Sequence, residues 1–293
     1  MTDLTPWPPT ETGRGKSPPY QGGAGEVKDY SQNWINMTDR KELPAVVLAG
    51  APAEPEMAAK YAITNRAEIP FAGKTMLRHV VDALNASSYV GEIGVVGNTV
   101  CEGVIRVIPP AGTIMDNLIA GTEAYSSAGH VLIVTSDIPL VTPEAIDDFI
   151  ERCGDLSADF YYPVVSKVDS EAKFPGMPRT YAKLAEGTFT GGNIMVVRAQ
   201  FIAENGGLIR EILNARKSVS KLARLIGFGT LVRALIAQTM WPGALNICAL
   251  ENTVGRILNG KVKAVQTPYA EISADVDKLE HIEAIEKMLA VSR

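Results

Sequence analysis

The chain has 293 residues, of which 46% are hydrophobic and 21% are charged, so it can bury the core of one large domain or two small ones. Its formal net charge of -5 argues against a nucleic-acid partner, which would need a basic surface to neutralise phosphates. Cys101, Cys153 and Cys248 lie far apart without metal-ligand spacing, so we expect free thiols in a reducing compartment. No signal peptide is evident, and we therefore expect a cytoplasmic protein.

The first 43 residues differ in composition from the rest of the chain. They contain five prolines and five glycines and show no hydrophobic period, which predicts a disordered N-terminal extension over 1–43. A natural-looking start at Met37 precedes the first predicted strand, so we interpret residues 1–36 as an extension of the reading frame or a dispensable tail. The structured domain is expected to span 44–293.

From Pro44 onward, short β-branched runs alternate with amphipathic segments, which is typical of a mainly parallel sheet covered by helices. Strands are predicted at 45–50, 92–97, 131–135, 159–166 and 193–198, with extended segments at 261–267 and 271–276. Helices are predicted at 74–87, 114–126, 143–152 and 279–291, with a helical section at 207–258. The apolar segment 222–237 contains two arginines and is shorter than the roughly 20 residues of a membrane span, so a buried helix pair or an oligomer interface is favoured over membrane contact.

The first strand ends in the sequence LAGAP, with Gly50 directly after it. A glycine at this place lets backbone N–H groups approach a phosphate closely, which makes the turn a candidate phosphate loop. The sequence is neither the dinucleotide pattern G-x-G-x-x-G nor the P-loop pattern, which argues against hydride transfer and classical ATPase activity.

Two basic residues, Arg66 and Lys74, bracket a short extended segment after this loop. A cation near a triphosphate would offset the charge that builds up on leaving pyrophosphate, and an arginine can do so bidentately. Lys74 lies near a helix start, and the alternative for it is a simple solvated surface position.

The strand at 131–135 is followed by Asp137. Aspartate is a common turn residue, but the carboxyl end of a parallel strand is also where α/β proteins bind ligands. Mg²⁺ usually takes one or two carboxylates together with phosphates and water. Asp275 and Asp277 supply further carboxylates, on one face if their segment is extended, although Asp277 also suits the N-cap of the last helix with Glu280 completing a capping box.

Two loops carry small polar residues that could contact a ligand. The loop before the predicted helix at 114–126 offers Asp116 and Asn117 to read a nucleobase edge, with Thr113 equally suited to cap that helix. The segment before the strand at 193–198 permits close backbone approach and hydrogen bonding to a polyhydroxylated or phosphorylated ligand, through Thr190, Gly191, Gly192 and Asn193.

In this order, the segments VVLAG, NRAEIPFAGKTMLRHVVDAL, VTSDIPLVTPEAI, TGGN and ADVDKLEHIEAIEKML resemble the nucleoside-triphosphate transferase superfamily that includes molybdenum cofactor guanylyltransferase and sugar-phosphate nucleotidylyltransferases. The resemblance covers roughly residues 44 to 290. It implies a Rossmann-like, glycosyltransferase-A-type three-layer sandwich with a mainly parallel mixed sheet, to which the helical section near 207–258 is an addition.

The resemblance also implies roles for individual residues. Leu48, Ala49 and Gly50 match the start of the nucleotide loop, and Arg66 stands where the family has a lysine that contacts phosphate. Asp137 matches the metal-binding aspartate of a D-x-P motif, and Asp277 aligns with a later metal ligand, with Asp275 as the near alternative. Residues 190–193 match an acceptor-side loop. The usual LAGGxGxRMG loop is altered here, lacking its second glycine and its arginine, and Lys60 is a candidate for the missing cation.

The resulting hypothesis is a nucleotidyltransferase that uses Mg²⁺, with Mn²⁺ as an alternative, to transfer a nucleoside monophosphate to a small phosphorylated acceptor. Arg179, Lys183 or the basic residues between 210 and 224 are candidates for holding the acceptor. Two alternatives stay open: a nucleotide-binding sensor that has lost catalysis, and a nucleotide-sugar glycosyltransferase, although the latter usually carries D-x-D where this chain has Pro139. A homodimer is compatible with the sequence.

Overall fold

The structure is a computed structural model, and it describes residues 42–99, 101–215, 236–239, 241–283 and 285. The predicted N-terminal extension lies outside the described residues except for its last two positions. The centre of the predicted helical section, residues 216–235, also lies outside them, as does most of the apolar segment at 222–237.

The described residues include eleven strands and seven helices with complete bounds, and further helical residues at 236–239 and 279–283. The strands are β1 (Leu43–Leu48), β2 (Pro70–Phe71), β3 (Lys74–Thr75), β4 (Val90–Val96), β5 (Arg106–Ile108), β6 (His130–Thr135), β7 (Phe160–Ser166), β8 (Ala182–Leu184), β9 (Gly187–Gly191), β10 (Ile194–Arg198) and β11 (Val262–Thr267). The helices are α1 (Pro55–Tyr61), α2 (Met76–Ala86), α3 (Ile114–Glu123), α4 (Pro143–Arg152), α5 (Lys167–Lys173), α6 (Ala199–Ala215) and α7 (Ile247–Ile257). In the part of the chain that the structure covers, no helix has the length and apolar character of a membrane span.

The main sheet has the strand order β5-β4-β1-β6-β10-β7-β9-β8, with β11 paired to β7. Strands β5, β4, β1 and β6 are parallel, and β10 is antiparallel to both β6 and β7. Strands β2 and β3 form a separate hairpin. The structure confirms the predicted Rossmann-like α/β architecture with a mixed, mainly parallel sheet.

Two hydrophobic clusters, one on each face of the sheet, create three layers. Along β1, Ala45 and Val47 face α2 and α4, whereas Val46 and Leu48 face α3 and α6, as the two-residue period of a strand requires. Because helices cover both faces of the sheet, the sequences of β1 and β6 are mostly continuous apolar runs rather than alternating ones. Each buried Val or Leu contributes about 1.5–3 kcal/mol, and this core fixes the strand ends that carry the site.

Several predicted elements differ from those observed. The helix predicted at 74–87 spans only Met76–Ala86, because Lys74–Thr75 pairs with β2 as a strand. Strand β1 begins at Leu43 rather than at 45, because the Leu43 N–H donates to the Tyr89 carbonyl at 2.8 Å. The segment at 271–276 is not extended: Ala270–Ser273 forms a 3-10 turn, and the Ala274 N–H donates to the Glu271 carbonyl at 3.1 Å. The helical section starts earlier than 207, since α6 begins at Ala199.

Candidate active site

The candidate site lies at the carboxyl ends of β1, β4 and β6. The chain runs outward from β1 to β4 and β5 and then returns to β6 on the other side of β1, so β1 and β6 flank the topological switch point of the sheet. The Ser136 N–H donates to the Leu48 carbonyl at 3.2 Å, which brings the two strand ends together. Gly50 and Asp137 therefore border the same crevice, as the sequence predicts.

At this crevice the Arg66 side chain joins the two carboxylates predicted to bind metal. Its Nη1 lies 2.6 Å from Asp277 Oδ1 and 3.3 Å from Asp137 Oδ2, and its Nη2 lies 3.3 Å from Glu54 Oε1. Only 17% of the Arg66 side chain is exposed. The structure thus brings Arg66, Asp137 and Asp277 into one charged cluster, which we call the Arg66 cluster.

The altered loop after β1 sets the position of Arg66. The Arg66 N–H donates to the Ala51 carbonyl at 3.1 Å, and the Asn65 Nδ2 donates to the Ala49 carbonyl at 2.6 Å. The Asn65 Oδ1 accepts from the Ala67 N–H at 2.9 Å and caps the short 3-10 turn in which Arg66 stands. The loop therefore folds back on the end of β1 even without the family's usual second glycine.

Asp275 and Asp277 reach the site by a route that differs from the predicted strand. The Val276 N–H, between them, donates to the Asp137 carbonyl at 2.8 Å and anchors this segment to the end of β6. Burial, followed by the nearby charges of Asp277 and Asp137, raises the pKa of Asp275 to about 6. In the structure the Asp277 carboxylate pairs with Arg66 through Oδ1, and the helix that follows has helical residues from 279 onward.

The Arg66 cluster contains buried polar atoms without partners, which bears on metal binding. Among the residues that the structure describes, no three His, Cys, Asp or Glu side chains are arranged to hold a metal ion. Asp137 Oδ1 and Arg66 Nε are nevertheless buried and make no hydrogen bond there. A buried unpaired carboxylate oxygen fits a Mg²⁺ ligand, and Mg²⁺ needs only one or two carboxylates when phosphates complete its shell. The carboxylates of Asp137 and Asp277 therefore fit a Mg²⁺ ion once the Arg66 guanidinium leaves the space between them.

A pocket of about 210 Å³ opens beside this cluster, between the ends of β1 and β4. It is lined by Gly50, Ala51, Pro52, Thr64, Asn65, Glu68, Asn98 and Thr99. The Thr99 hydroxyl donates to Glu68 Oε1 at 3.1 Å across one wall. Glu68, Asn98 and Thr99 were not predicted from the sequence, although the rule that identified Asp137, a polar residue following a buried parallel strand, also applies to Asn98 and Thr99 after β4.

Asp116 and Asn117 support the pocket rather than line it. Asp116 forms a capping box with Thr113 at the start of α3, which confirms the capping alternative for Thr113, and pairs with Arg210. The hydrogen bonds from Thr113 lower the pKa of Asp116. Asn117 is buried, and its Oδ1 accepts from the Ala111 N–H at 2.7 Å. A Cβ on Gly50 would lie 2.6 Å from Asn117 Nδ2, so the glycine permits this close packing behind the loop.

Three predicted cations lie apart from the Arg66 cluster. Lys74 stands on the β2–β3 hairpin and pairs with Asp82 at 2.7 Å. Lys60 is 3.3 Å from Glu283. Lys183, on β8, donates through Nζ to the Gln238 carbonyl at 3.1 Å. The structure therefore provides a local partner for each of them.

The segment predicted to face the acceptor lies on the other side of the Arg66 cluster from the pocket. The Asn193 N–H donates to the Ile272 carbonyl at 2.9 Å, and the Asn193 carbonyl accepts from the Thr135 N–H at 3.0 Å. A Cβ on Gly192 would lie 2.5 Å from Ile272 Cγ2, so the glycine permits close contact with the segment that leads to Asp275. Thr190 and Gly191 are the last residues of β9.

Open α/β sheets bind their ligands in the crevice at the switch point, which is where this chain places its pocket and its charged cluster. The sequence model of the MobA-like NTP transferase domain matches residues 45–235, and the chain belongs to this family. The family is one of nucleotidyltransferases. No curated protein sequence matches this chain.

Solved structures agree with this assignment. A hypothetical transferase from Thermus thermophilus is 32% identical, with a TM-score of 0.72 over 83% of this chain and 100% of its own. A CMP:2-keto-3-deoxy-manno-octonic acid synthetase in complex with CTP is 12% identical, with a TM-score of 0.55 over 86% of this chain and 100% of its own. A 4-diphosphocytidyl-2C-methyl-D-erythritol synthase from Anaerococcus prevotii is 12% identical, with a TM-score of 0.50 over 87% and 100%. The last two likenesses concern the fold alone.

Proposed function

We propose that this protein transfers a nucleoside monophosphate from a nucleoside triphosphate to a phosphorylated small-molecule acceptor and releases pyrophosphate. The observation that carries the proposal is the Arg66 cluster, in which a phosphate-binding type of side chain and two carboxylates meet beside a pocket at the switch point. Family membership supports nucleotidyl transfer in general. The acceptor class comes from the resemblance in sequence.

In this proposal the pocket beside Gly50 holds the nucleoside and directs its triphosphate towards Asp137. An oxygen of the acceptor attacks the α-phosphorus, its bond to phosphorus forms as the bond to the bridging oxygen breaks, and pyrophosphate leaves. Such a transfer requires little covalent work from the protein, because positioning and charge stabilisation supply most of the catalysis.

Arg66 has the central part among the chain's own residues. Its guanidinium is always charged and matches phosphate oxygens bidentately, so a triphosphate competes with Asp137 and Asp277 for it. Once Arg66 turns to the phosphates, Asp137 and Asp277 would hold Mg²⁺ or Mn²⁺, with Asp275 as the alternative ligand. The metal would supply neutralisation of phosphate charge. Lys74, paired with Asp82, has no part in these steps.

The acceptor is proposed to lie against residues 190–193, beside Asp275 and away from the nucleoside pocket. The contact of this segment with the chain that leads to Asp275 supports this placement, since the Asn193 N–H donates to the Ile272 carbonyl at 2.9 Å. Arg179 is the cation on this side, since it interacts electrostatically with Asp275, whereas Lys183 is engaged by Gln238.

One observation favours a second candidate, a nucleotide-binding sensor without turnover. Arg66 pairs with both predicted metal ligands, Asp137 and Asp277. A site that binds nucleotide without turnover would keep these ion pairs. The two candidates differ in product formation. The sensor binds a triphosphate but leaves it intact.

The discriminating experiment measures pyrophosphate release from each of the four common nucleoside triphosphates with Mg²⁺ and a panel of phosphorylated acceptors. Calorimetry on the same samples measures nucleotide binding. We expect acceptor-dependent pyrophosphate release with at least one triphosphate. Tight binding without release across the panel supports the sensor, and absence of both binding and release contradicts both candidates.

A further inference from the structure

Arg179 is a half-buried arginine whose hydrogen-bond donors are left almost unused. Its Nε is buried and has no partner among the described residues, and its Nη2 contacts the Met177 sulfur at 3.3 Å. The guanidinium lies 6.0 Å from the centre of the Phe174 ring. Met177 and Phe174 hold the side chain in place. The Met177 thioether is only a weak hydrogen-bond acceptor, and the Phe174 ring has no lone pair to accept from the five N–H donors of the guanidinium.

This arrangement is costly for the protein unless something pairs with the guanidinium. Burial lowers the pKa of Arg179, which shows that the charge is partly removed from water. Asp275 is within electrostatic range and acts in the opposite direction, but no ion pair joins it to Arg179 in the described part of the chain. A buried N–H group without a hydrogen-bond partner is rare in proteins, and an oxyanion ligand would satisfy the Nε donor of Arg179.

The surroundings of Arg179 belong to the acceptor side of the site. Tyr181 and Asp275 are the neighbours whose charges act on it. Asp275 also acts on Tyr162, which packs against Gly191 of the acceptor segment. The nucleoside pocket is lined instead by residues at the ends of β1 and β4. Asp275 therefore lies within electrostatic range of both Arg179 and the Arg66 cluster.

We propose that Arg179 forms an oxyanion subsite, beside Tyr181, that binds a carboxylate or phosphate of the acceptor distinct from the attacking oxygen. The attacking oxygen must reach the α-phosphorus near Asp137 and Asp277, whereas Arg179 makes no ion pair with either of these carboxylates in the described part of the chain. The acceptor is thus a small molecule with a reactive oxygen at one end and an anionic group at the other. Only the assignment of this anion to the acceptor rests on the proposed function.

The test measures the rate at which phenylglyoxal, an arginine-selective reagent, modifies Arg179 in the whole protein, read by peptide mass spectrometry. The probes are glycerol 3-phosphate, glycerate and glycerol, which share a three-carbon skeleton and differ in the anionic group. We expect one or both anions to slow modification of Arg179 by about tenfold at saturation, and glycerol to have no effect. Arg152, which pairs with Asp148 at 2.7 Å on the surface of α4, is the internal reference and should react equally with and without probes.

Variants test the same subsite by binding. Arg179→Met should weaken binding of the protecting anion by about 10- to 100-fold, Arg179→Lys should weaken it less, and Arg152→Met should not change it. Equal labelling of Arg179 with all probes, or unchanged anion binding in Arg179→Met, overturns the subsite. Protection of Arg179 by glycerol 3-phosphate identifies the anion as a phosphate, and protection by glycerate identifies it as a carboxylate.

The subsite and the proposed function can fail separately. Nucleotide binding and pyrophosphate release are measured on the same wild-type protein. Anion protection of Arg179 without any nucleotide binding refutes the proposed function and leaves the subsite standing. Nucleotidyl transfer without protection of Arg179 refutes the subsite alone.

Discussion

The Arg66 guanidinium lies 2.6 Å from the Asp277 carboxylate and joins residues that are 211 positions apart in the sequence. The same nitrogen lies 3.3 Å from Asp137, so one cation bridges the carboxylate that follows β6 and the carboxylate of Asp277, which comes after β11 in the chain. A triphosphate that enters this crevice must replace these contacts. Nucleotide binding and rearrangement of Arg66 are therefore expected to be one event.

Asp137→Asn tests the role of the carboxylate after β6. The amide keeps the shape of the side chain but loses the charge, so we expect pyrophosphate release to fall by about 100-fold or more while the fold is retained. Asp155→Asn is the control, because Asp155 is exposed and accepts hydrogen bonds from the nearby Ser157. Equal activity of Asp137→Asn and wild type would remove Asp137 from the catalytic site.

Arg66→Met tests whether the guanidinium competes with metal. Without the guanidinium, Asp137 and Asp277 keep their charge and their mutual repulsion, so we expect the free protein to bind Mn²⁺ about tenfold more tightly. Electron paramagnetic resonance of free Mn²⁺ measures this directly. Transfer activity should fall in the same variant because the triphosphate loses its cation.

The Mn²⁺ measurement has a matched control in Arg78→Met, since Arg78 pairs with Asp82 at 2.6 Å on α2, away from the cluster. That variant should bind Mn²⁺ like wild type. Unchanged or weaker Mn²⁺ binding in Arg66→Met would contradict competition between the guanidinium and the metal.

Asp275 should make the folded state less stable as the pH rises. Its pKa is raised from 3.8 to about 6, so between these values the folded state binds more protons than the unfolded state. The free energy of unfolding therefore decreases as the pH rises through this window, and the stabilisation present at low pH is lost above about 6. In EDTA, Asp275→Asn should melt about 2–4 °C above wild type at pH 7.5.

That difference should disappear well below pH 3.8, where the Asp275 carboxyl is protonated in both the folded and the unfolded state. Melting curves across the range measure it. A constant difference at all pH values would mean that the substitution acts through packing rather than through the charge of Asp275.

Gly50→Ala tests the packing behind the nucleotide loop. The new Cβ would lie 2.6 Å from Asn117 Nδ2 and 3.3 Å from Pro110 Cβ, so the loop or Asn117 must shift. We expect a loss of about 1–3 kcal/mol in unfolding free energy and weaker triphosphate binding, measured by denaturation and calorimetry. Gly207→Ala in α6 is the control: its Cβ meets no atom within 4 Å, and it should be neutral or slightly stabilising.

Much of this site is predictable from local sequence. Strand ends identify Gly50 and Asp137, because each follows a buried run whose period is visible in the sequence. The contact between Arg66 and Asp277 is not locally predictable, since it depends on how a turn after β1 meets a segment near the C-terminus.

Other differences have local physical causes. The predicted strand at 271–276 fails because Ala270–Ser273 closes into a 3-10 turn, in which the Ala274 N–H donates to the Glu271 carbonyl. Asn117 was predicted to read a nucleobase, but its side chain is needed to hold the Ala111 N–H. Lys74 was predicted to stabilise pyrophosphate, and in the structure its Nζ pairs with Asp82 of α2.

The most direct test of the central proposal follows the phosphorus atoms of the triphosphate. Wild-type protein and Asp137→Asn are incubated with Mg²⁺, the panel of phosphorylated acceptors, and triphosphate labelled with ³²P at either the α or the γ position. We expect the α label in a new acceptor conjugate and the γ label in pyrophosphate, with both products lost in Asp137→Asn. Appearance of the γ label in orthophosphate or on an acceptor, with the α label left in a nucleoside diphosphate, would contradict nucleotidyl transfer.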